Sequence, residues 1–147
     1  MKTRALVMAA VMALTAMATT RVAQAQGTMR VNVPFDFAAG NKTLPAGEYS
    51  VKISPTDSRV LLIQSEDTTA SMFIGTNAVV ANEPQTESKL IFNRYGDHYF
   101  LSQVWNEGEP RGRQLMKTAR EKEIALAAKN EIQGQVTLVA ELPRTHR

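Results

Sequence analysis

The sequence contains no cysteine. This absence excludes disulfide bonds, thiol catalysis, cysteine-based metal sites and a lipid anchor on a cysteine behind a leader. Histidine is scarce, with two residues, His98 and His146. The motifs G-x-S-x-G, H-E-x-x-H, G-x-G-x-x-G and the phosphate-binding loop do not occur. The sequence therefore predicts neither a common catalytic motif nor a cofactor.

The N-terminal segment, residues 1–25, has the pattern of a secretory signal peptide. Lys2 and Arg4 precede an uncharged run, Ala5–Ala18, and Ala23-Gln24-Ala25 forms a small-residue cleavage signal. The run is shorter than the roughly 20 residues of a membrane-spanning helix. We therefore predict cleavage near Ala25, a periplasmic or secreted location, and no transmembrane span in the mature chain.

Positive charge is not in excess once the predicted leader is removed. The chain has 17 basic and 14 acidic residues, and Lys2, Arg4 and Arg21 account for the whole difference. The predicted mature chain is thus neutral, and the basic isoelectric point gives no support to nucleic-acid binding. Its residues, 26–147, have the length of a single domain.

Alternating apolar and polar residues predict a mainly β domain. Pro34 cannot donate to a β-ladder, so the first strand should lie at an edge or be interrupted there. We interpret Ala38–Thr43 as a polar connection and Asn106–Gly112 as a loop, while Thr76–Ala81 either continues the preceding strand or forms a short one. The predicted strands are half-buried on one face or apolar throughout: Met29–Phe37, Tyr49–Ile53, Val60–Gln64 and Ala70–Ile74.

The stretch Lys89–Trp105 predicts a β-hairpin and holds most of the aromatic side chains of the mature chain. Gly96-Asp97 suits a two-residue type II′ turn, because glycine readily takes φ > 0 at its first position. The direct register pairs Phe92 with Leu101, Arg94 with Tyr99 and Leu90 with Gln103. A bulge near Ser102-Gln103, which would re-aim Val104 and Trp105, is the alternative.

A helix over about residues 118–130 follows, with Thr118 as N-cap and Glu121 as the N3 residue of a capping box. Its apolar stripe is thin, so it should rest on the β-body. Gln135–Ala140 alternates and is a candidate last strand, and residues 142–147 are predicted to be a frayed tail. The fold class is therefore an antiparallel small barrel or sandwich of about six to eight strands with one C-terminal helix.

The hairpin supplies the candidate ligand-binding residues. Arg94, Tyr95, Tyr99 and Trp105 are large side chains that bind rings and apolar surfaces, with Arg94 opposite Tyr99 as a cation–π pair. Aromatic cross-strand pairs also stabilise a hairpin without any ligand, and this interpretation stays open beside the functional one. A small apolar ligand, a glycan or another envelope protein would be the partner.

Carboxylates near the hairpin offer a weaker catalytic hypothesis. Asp97 adjoins His98 at the turn, and Glu107 and Glu109 share the following loop. Paired carboxylates can hydrolyse glycosides or hold Ca²⁺. A solvated polar loop explains the same residues, so we predict no catalytic or metal site.

Two stretches carry a resemblance to known proteins. Residues 33–51, with V-P-F-D-F and T-L-P-A-G-E-Y-S-V, and residues 89–105 resemble a group of small uncharacterised secreted bacterial β-domain proteins. This resemblance implies a compact β-domain behind a signal peptide and implies no activity. Leu44–Val51 is also similar to the strand entry of carboxypeptidase-regulatory-like and other prealbumin-type β-sandwiches, from which the Thr118 helix departs.

Three functional hypotheses follow. The leading one is an exported, non-enzymatic binding or structural β-domain. The predicted leader, the β-strand pattern and the lack of catalytic motifs all agree with it. The second is a carrier that holds a small apolar ligand inside a β-barrel. The third is a hydrolase that uses the loop carboxylates.

Overall fold

The computed structural model of the chain describes residues 28–141, so the predicted signal peptide and the predicted frayed tail lie outside the described residues. Among these described residues, two β-sheets pack face to face and one helix covers part of the outer face of the larger sheet. The architecture is sandwich-like, with no closed barrel. The predicted mainly β class with one C-terminal helix is confirmed.

The smaller sheet contains four antiparallel strands in the order β1-β4-β5-β6. They are β1 (Thr28–Val33), β4 (Gly47–Ile53), β5 (Val60–Ser65) and β6 (Ser71–Gly75). Strand β1 lies at the edge and ends directly before Pro34, so both consequences expected of that proline are present. Strand β5 is central, as its apolar sequence indicated.

The larger sheet has the path β11-β8-β9-β10-β7, with a β2–β3 hairpin attached to β9. Among the named strands of the described residues, β2 and β9 form the one parallel contact, through Ala38 and Phe100. The elements are β2 (Phe37–Ala39), β3 (Lys42–Leu44), β7 (Asn77–Val80), β8 (Lys89–Tyr95), β9 (His98–Trp105), β10 (Arg111–Gln114), α1 (Ala119–Ala127) and β11 (Gln133–Val139).

The described residues form eleven strands, more than the six to eight expected, because short strands lie in stretches interpreted as connections. Ala38–Thr43 is not a plain connection but contains parts of β2 and β3, and the predicted loop Asn106–Gly112 already enters β10 at Arg111. Such strands have too few residues for a recognisable alternation. Thr76–Ala81 contains β7, which lies in the other sheet from β6.

The core lies between the sheets and is filled by side chains from both. Phe37 contacts Tyr49 and Phe92 edge to face, with ring centroids 5.2 and 5.4 Å apart. Aliphatic residues of β1, β4, β5, β8 and β9 surround these rings. A second, smaller cluster lies on the opposite face of the β8–β9 hairpin, where Tyr95, Phe100 and Ala38 pack under Ala128 at the end of α1.

The β8–β9 hairpin is central in the larger sheet. Its turn has Gly96 at φ +60, as a type II′ turn requires. The pairs of Phe92 with Leu101 and Arg94 with Tyr99 are confirmed. The direct register fails beyond them, because a register shift leaves Leu90 opposite Val104 and not Gln103. The predicted bulge is therefore present, and it turns Val104 into the core.

Candidate functional site

The structure does not bring the four predicted ligand-binding residues together. Arg94 and Tyr99 are in contact, with the guanidinium carbon 5.5 Å from the ring centroid, which confirms the cation–π pair. Tyr95 follows Arg94 in the strand and therefore points to the opposite face, into the cluster under α1. Trp105 lies opposite Lys89, six residues along β8 from Tyr95, about 20 Å away at the usual strand rise.

Each of these aromatic residues has a packing role. Tyr99 stacks on Phe35, with ring centroids 3.8 Å apart and planes 13° apart, and Phe35 in turn meets Phe92 edge to face. The Trp105 ring lies over Gly112 of β10, where a Cβ would meet ring atoms at 2.6–2.9 Å. Its indole N–H donates to Gln103 over 2.9 Å. Ligand binding by these four side chains stays a prediction, but they do not form one platform.

The carboxylates of the catalytic hypothesis lie far apart. Asp97 is in the turn before β9, while Glu107 and Glu109 follow the other end of that strand. Eight strand residues separate the two ends by about 26 Å. Asp97 and the two glutamates therefore do not form one site. Within residues 28–141, no three His, Asp or Glu side chains form a group that could hold a metal ion.

The sequence identified Glu121 only as a helix cap, yet its carboxylate is buried beneath the helix. Its backbone N–H donates to Thr118 Oγ1 over 3.1 Å, so the predicted N-cap is confirmed. Its side chain is 4% exposed, and Oε1 accepts from Asn93 Nδ2 at 3.0 Å and from Tyr95 hydroxyl at 3.2 Å. Gln135 Nε2 donates to Asn93 Oδ1 over 3.4 Å. We call Glu121, Asn93, Tyr95 and Gln135 the helix–sheet network.

This network attaches helix to sheet with polar contacts. Helix α1 ends at Ala127, shorter than expected, and presents only a few apolar residues to the sheet, with Leu126 exposed. A buried carboxylate is tolerated when hydrogen-bond donors surround it. A negatively charged Glu in the first turn also interacts favourably with the positive end of the helix dipole. These contacts make the network a structural clamp between helix and sheet.

A cleft of about 240 Å³ lies between the turn before β4 and the turn after β5. Glu48, Glu66 and Asp67 are among its lining residues. Asp67 is engaged in its own turn, because Oδ1 accepts from Ser65 Oγ, Thr69 N and Thr69 Oγ1 at 2.7–3.1 Å. These hydrogen bonds, first that of Ser65, lower the pKa of Asp67. The Asp67 carboxylate therefore caps its own turn through Oδ1.

The surface with the most unusual composition is the free edge of β6. No charged residue occurs between Asp67 and Glu83, which is the longest such stretch among residues 28–141. It forms β6 and β7, the edge strands of the two sheets, and carries the exposed side chains of Phe73 and Val80. We call Ser71–Gly75 the β6 edge. The charge-free run can be recognised in the sequence, but its position at a sheet edge follows from the strand pairing.

Within residues 28–141, the structure contains no helix with the length and apolar character needed to cross a bilayer. Comparison of the chain with models of protein families, with curated proteins and with solved structures gives no match. The fold and the surfaces above are therefore the basis for the function.

Burial of two tyrosines predicts a loss of stability at alkaline pH. Burial, then the negative charge of Glu121 and the hydrogen bond to it, raise the pKa of Tyr95. Burial, with Asp67 and Asp36, raises the pKa of Tyr49. Because the unfolded chain releases these phenol protons first, above about pH 10, the free energy of unfolding should fall as the pH rises past that value.

Urea denaturation at several pH values checks this expectation. Tyr95→Phe removes one of the two tyrosines whose pKa is raised by folding. The stability of this variant should therefore fall less steeply above about pH 10 than that of the wild type. The double variant with Tyr49→Phe should show the shallowest dependence. Equal slopes for the wild type and both variants would contradict the assignment.

Proposed function

We propose that this chain is an exported β-sandwich module that binds a partner through its surface and catalyses no reaction. The observation that carries the proposal is the packing between the sheets. Phe37, Tyr49 and Phe92 are each at most 2% exposed, and Phe37 contacts both of the other rings edge to face. Interiors packed by interdigitating side chains are dense, which directs binding to the outer surface.

The carrier alternative has less support. It would rest on the aromatic hairpin and on the apolar strand around Val60–Ile63. The structure places Leu61 and Ile63 in the packed core, and it distributes the predicted ligand-binding aromatics over three locations. A ligand pocket usually has a wall of convergent apolar side chains around a space.

The hydrolase alternative has still less support from the geometry. His98 is exposed at the turn, and Glu107 and Glu109 lie about one strand length away. A general acid and a general base must both reach the same substrate atoms, within roughly 10 Å of each other in glycoside hydrolysis. The separation across β9 is more than twice that distance, so His98 does not act together with Glu107 or Glu109. Glu107 and Glu109 themselves are exposed side chains of one loop, as a solvated polar loop requires.

Native mass spectrometry of the chain, exported and processed by a bacterial host, tests the proposal against the carrier. We expect the bare mass of the processed chain, or that mass with another protein chain. A reproducible small-molecule mass that disappears on denaturation would overturn the proposal in favour of the carrier. The same spectra give the position of signal-peptide cleavage.

Turnover assays test the proposal against the hydrolase. We expect no hydrolysis of ester, peptide or glycoside substrates above the background of a mock purification. Hydrolysis that disappears in His98→Ala or Glu107→Ala, and persists in the matched surface variant Glu83→Ala, would refute a non-enzymatic module. Glu83 is a suitable control because it is exposed and lies in a different loop.

A further inference from the structure

The β6 edge exposes backbone groups that no other strand of residues 28–141 occupies. At its two ends, Ser65 N donates to Ala70 O over 2.8 Å and Thr76 N donates to Arg59 O over 2.7 Å. Hydrogen bonding alternates along an antiparallel pair, so the even-numbered residues of β6 bond to β5. The N–H and C=O groups of the odd-numbered residues point away from the sheet: Ser71, Phe73 and Gly75.

These outward groups are arranged symmetrically about Phe73. The extended run from Ala70 to Thr76 has Phe73 at its centre. An antiparallel copy of the same strand can therefore place Phe73 opposite Phe73, and Ser71 opposite Gly75, with every outward donor facing an outward acceptor. This register is the self-complementary contact that a two-fold axis generates.

The side chains of the β6 edge fit this register. Phe73 is 69% exposed on the outer face and lies opposite the half-buried Leu62 of β5. Its flanking outward residues, Ser71 and Gly75, are small and exposed, and a Cβ on Gly75 would meet nothing within 4 Å. Two phenyl rings at the axis would therefore each lie beside small residues of the other copy, on a shared apolar surface with Leu62.

The absence of charged side chains on this strand also favours pairing with a second copy. Exposed sheet edges are usually protected from self-pairing by charged residues or proline, and the stretch between Asp67 and Glu83 has no charge and no proline. Self-pairing along it brings no like charges opposite each other. A single ammonium, Lys42 Nζ, donates to Ser71 O over 3.2 Å, and a carbonyl has a second lone pair for another donor.

The edges on the other side of the sandwich differ in this respect. Strands β1 and β11 are edges of the two sheets, and the chain after β11 joins them, because Glu141 N donates to Arg30 O over 2.8 Å. Arg30 and Glu66 also form an exposed ion pair on that sheet. Within residues 28–141, the β6 edge has no such backbone join to the other sheet, and its own strand carries no charged residue.

We propose that β6 of this chain pairs antiparallel with β6 of a second copy about a two-fold axis at Phe73, joining the two small sheets into one of eight strands. The second copy is a partner for the surface binding proposed above, so the dimer rests on that proposed function. A wild type that stays monomeric would overturn the dimer and would leave the outcomes of the turnover and small-molecule tests unaffected. A contact of one short strand buries less than a standard interface of about 1,600 Å², so the dimer is weak and concentration-dependent.

Disulfide trapping tests the register directly, because the chain has no cysteine of its own. Opposite residues of a hydrogen-bonded pair have Cα atoms about 5.5 Å apart, within the range that a disulfide spans. We expect a mixture of Ser71→Cys and Gly75→Cys chains to form mixed cross-linked dimers. Either variant alone should cross-link about tenfold less, because its two cysteines are separated by about 13 Å along the strands.

Cross-linking of each variant with itself as efficiently as in the mixture would overturn the register and with it the proposal. Absence of cross-linking in all three samples would overturn it too, provided that each variant has the circular dichroism spectrum of the wild type.

Sedimentation velocity over a range of about 10 µM to about 1 mM, suited to weak interfaces, tests the dimer without cross-linking. The wild type should sediment faster as concentration rises. Phe73→Pro removes an outward N–H and leaves the β5 ladder intact, so it should remain monomeric. Val139→Pro is the matched control, because Val139 is exposed and its N–H points outward from the β11 edge.

Phe73→Lys provides a second variant if proline prevents folding, since it keeps the backbone and places two ammonium groups at the axis. It should also abolish association. A wild type that stays monomeric at every concentration, or a dimer that both Phe73 variants retain, would overturn the proposal. A monomer that binds a foreign peptide along β6 would also overturn the proposal, because the peptide and not a second copy would then be the occupant of the edge.

Discussion

Phe92→Ala should destabilise the protein by about 4 kcal/mol, the typical cost of replacing a fully buried phenylalanine by alanine. Phe92 has no exposed surface and contacts both Phe35 and Phe37 edge to face. Its removal leaves a cavity between the two sheets that their strands are unable to close. The loss is a large share of the roughly 5–15 kcal/mol by which such domains are stable.

Urea denaturation followed by the fluorescence of Trp105, the single tryptophan, measures this loss. Phe73→Ala is the matched control, since it makes the same chemical change in a residue that is 69% exposed on an edge strand. At a low protein concentration, where β6 is unpaired, it should cost less than about 1 kcal/mol. Similar losses in the two variants would show that the aromatic contacts between the sheets do not stabilise the fold.

Glu121→Ala should cost about 2–3 kcal/mol, because it removes the acceptor of two hydrogen bonds and leaves the Asn93 amide and the Tyr95 hydroxyl without it. The helix itself keeps its N-cap, since Thr118 accepts from the backbone N–H of residue 121. The lost stability should therefore come from the attachment of α1 to the sheet. Hydrogen exchange should show faster opening of α1 than of β8 in this variant.

Two variants distinguish the helix–sheet network from general effects of charge. Glu123→Ala removes a carboxylate from an exposed position two residues along the same helix and should change the stability by less than about 0.5 kcal/mol. Glu121→Gln keeps a side-chain oxygen that can accept from Asn93 and Tyr95, so it should lie between the two. Equal stabilities of Glu121→Ala and Glu123→Ala would refute a contribution of the network.

The candidate surfaces were only partly predictable from the sequence. The cation–π pair of Arg94 and Tyr99 was predicted because it depends on one cross-strand register next to a recognisable turn. The position of Trp105 was not, because the bulge after Leu101 shifts every later pair by one residue. Glu121 was placed as a cap from local spacing, but its contacts with Asn93 and Tyr95 join residues 28 and 26 positions apart.

Features that depend on neighbouring residues could be predicted from the sequence: alternating strands, the end of β1 at Pro34, the Gly96 turn and the Thr118 cap. These follow from backbone preferences and side-chain periodicity within a few positions. Long-range strand pairing was needed to show that the sheets form a sandwich, that β6 and β7 lie in different sheets, and that the uncharged stretch becomes a free edge. Those outcomes depend on which strands pair over long separations, and an alternation pattern specifies which face of a strand is buried but not its neighbour.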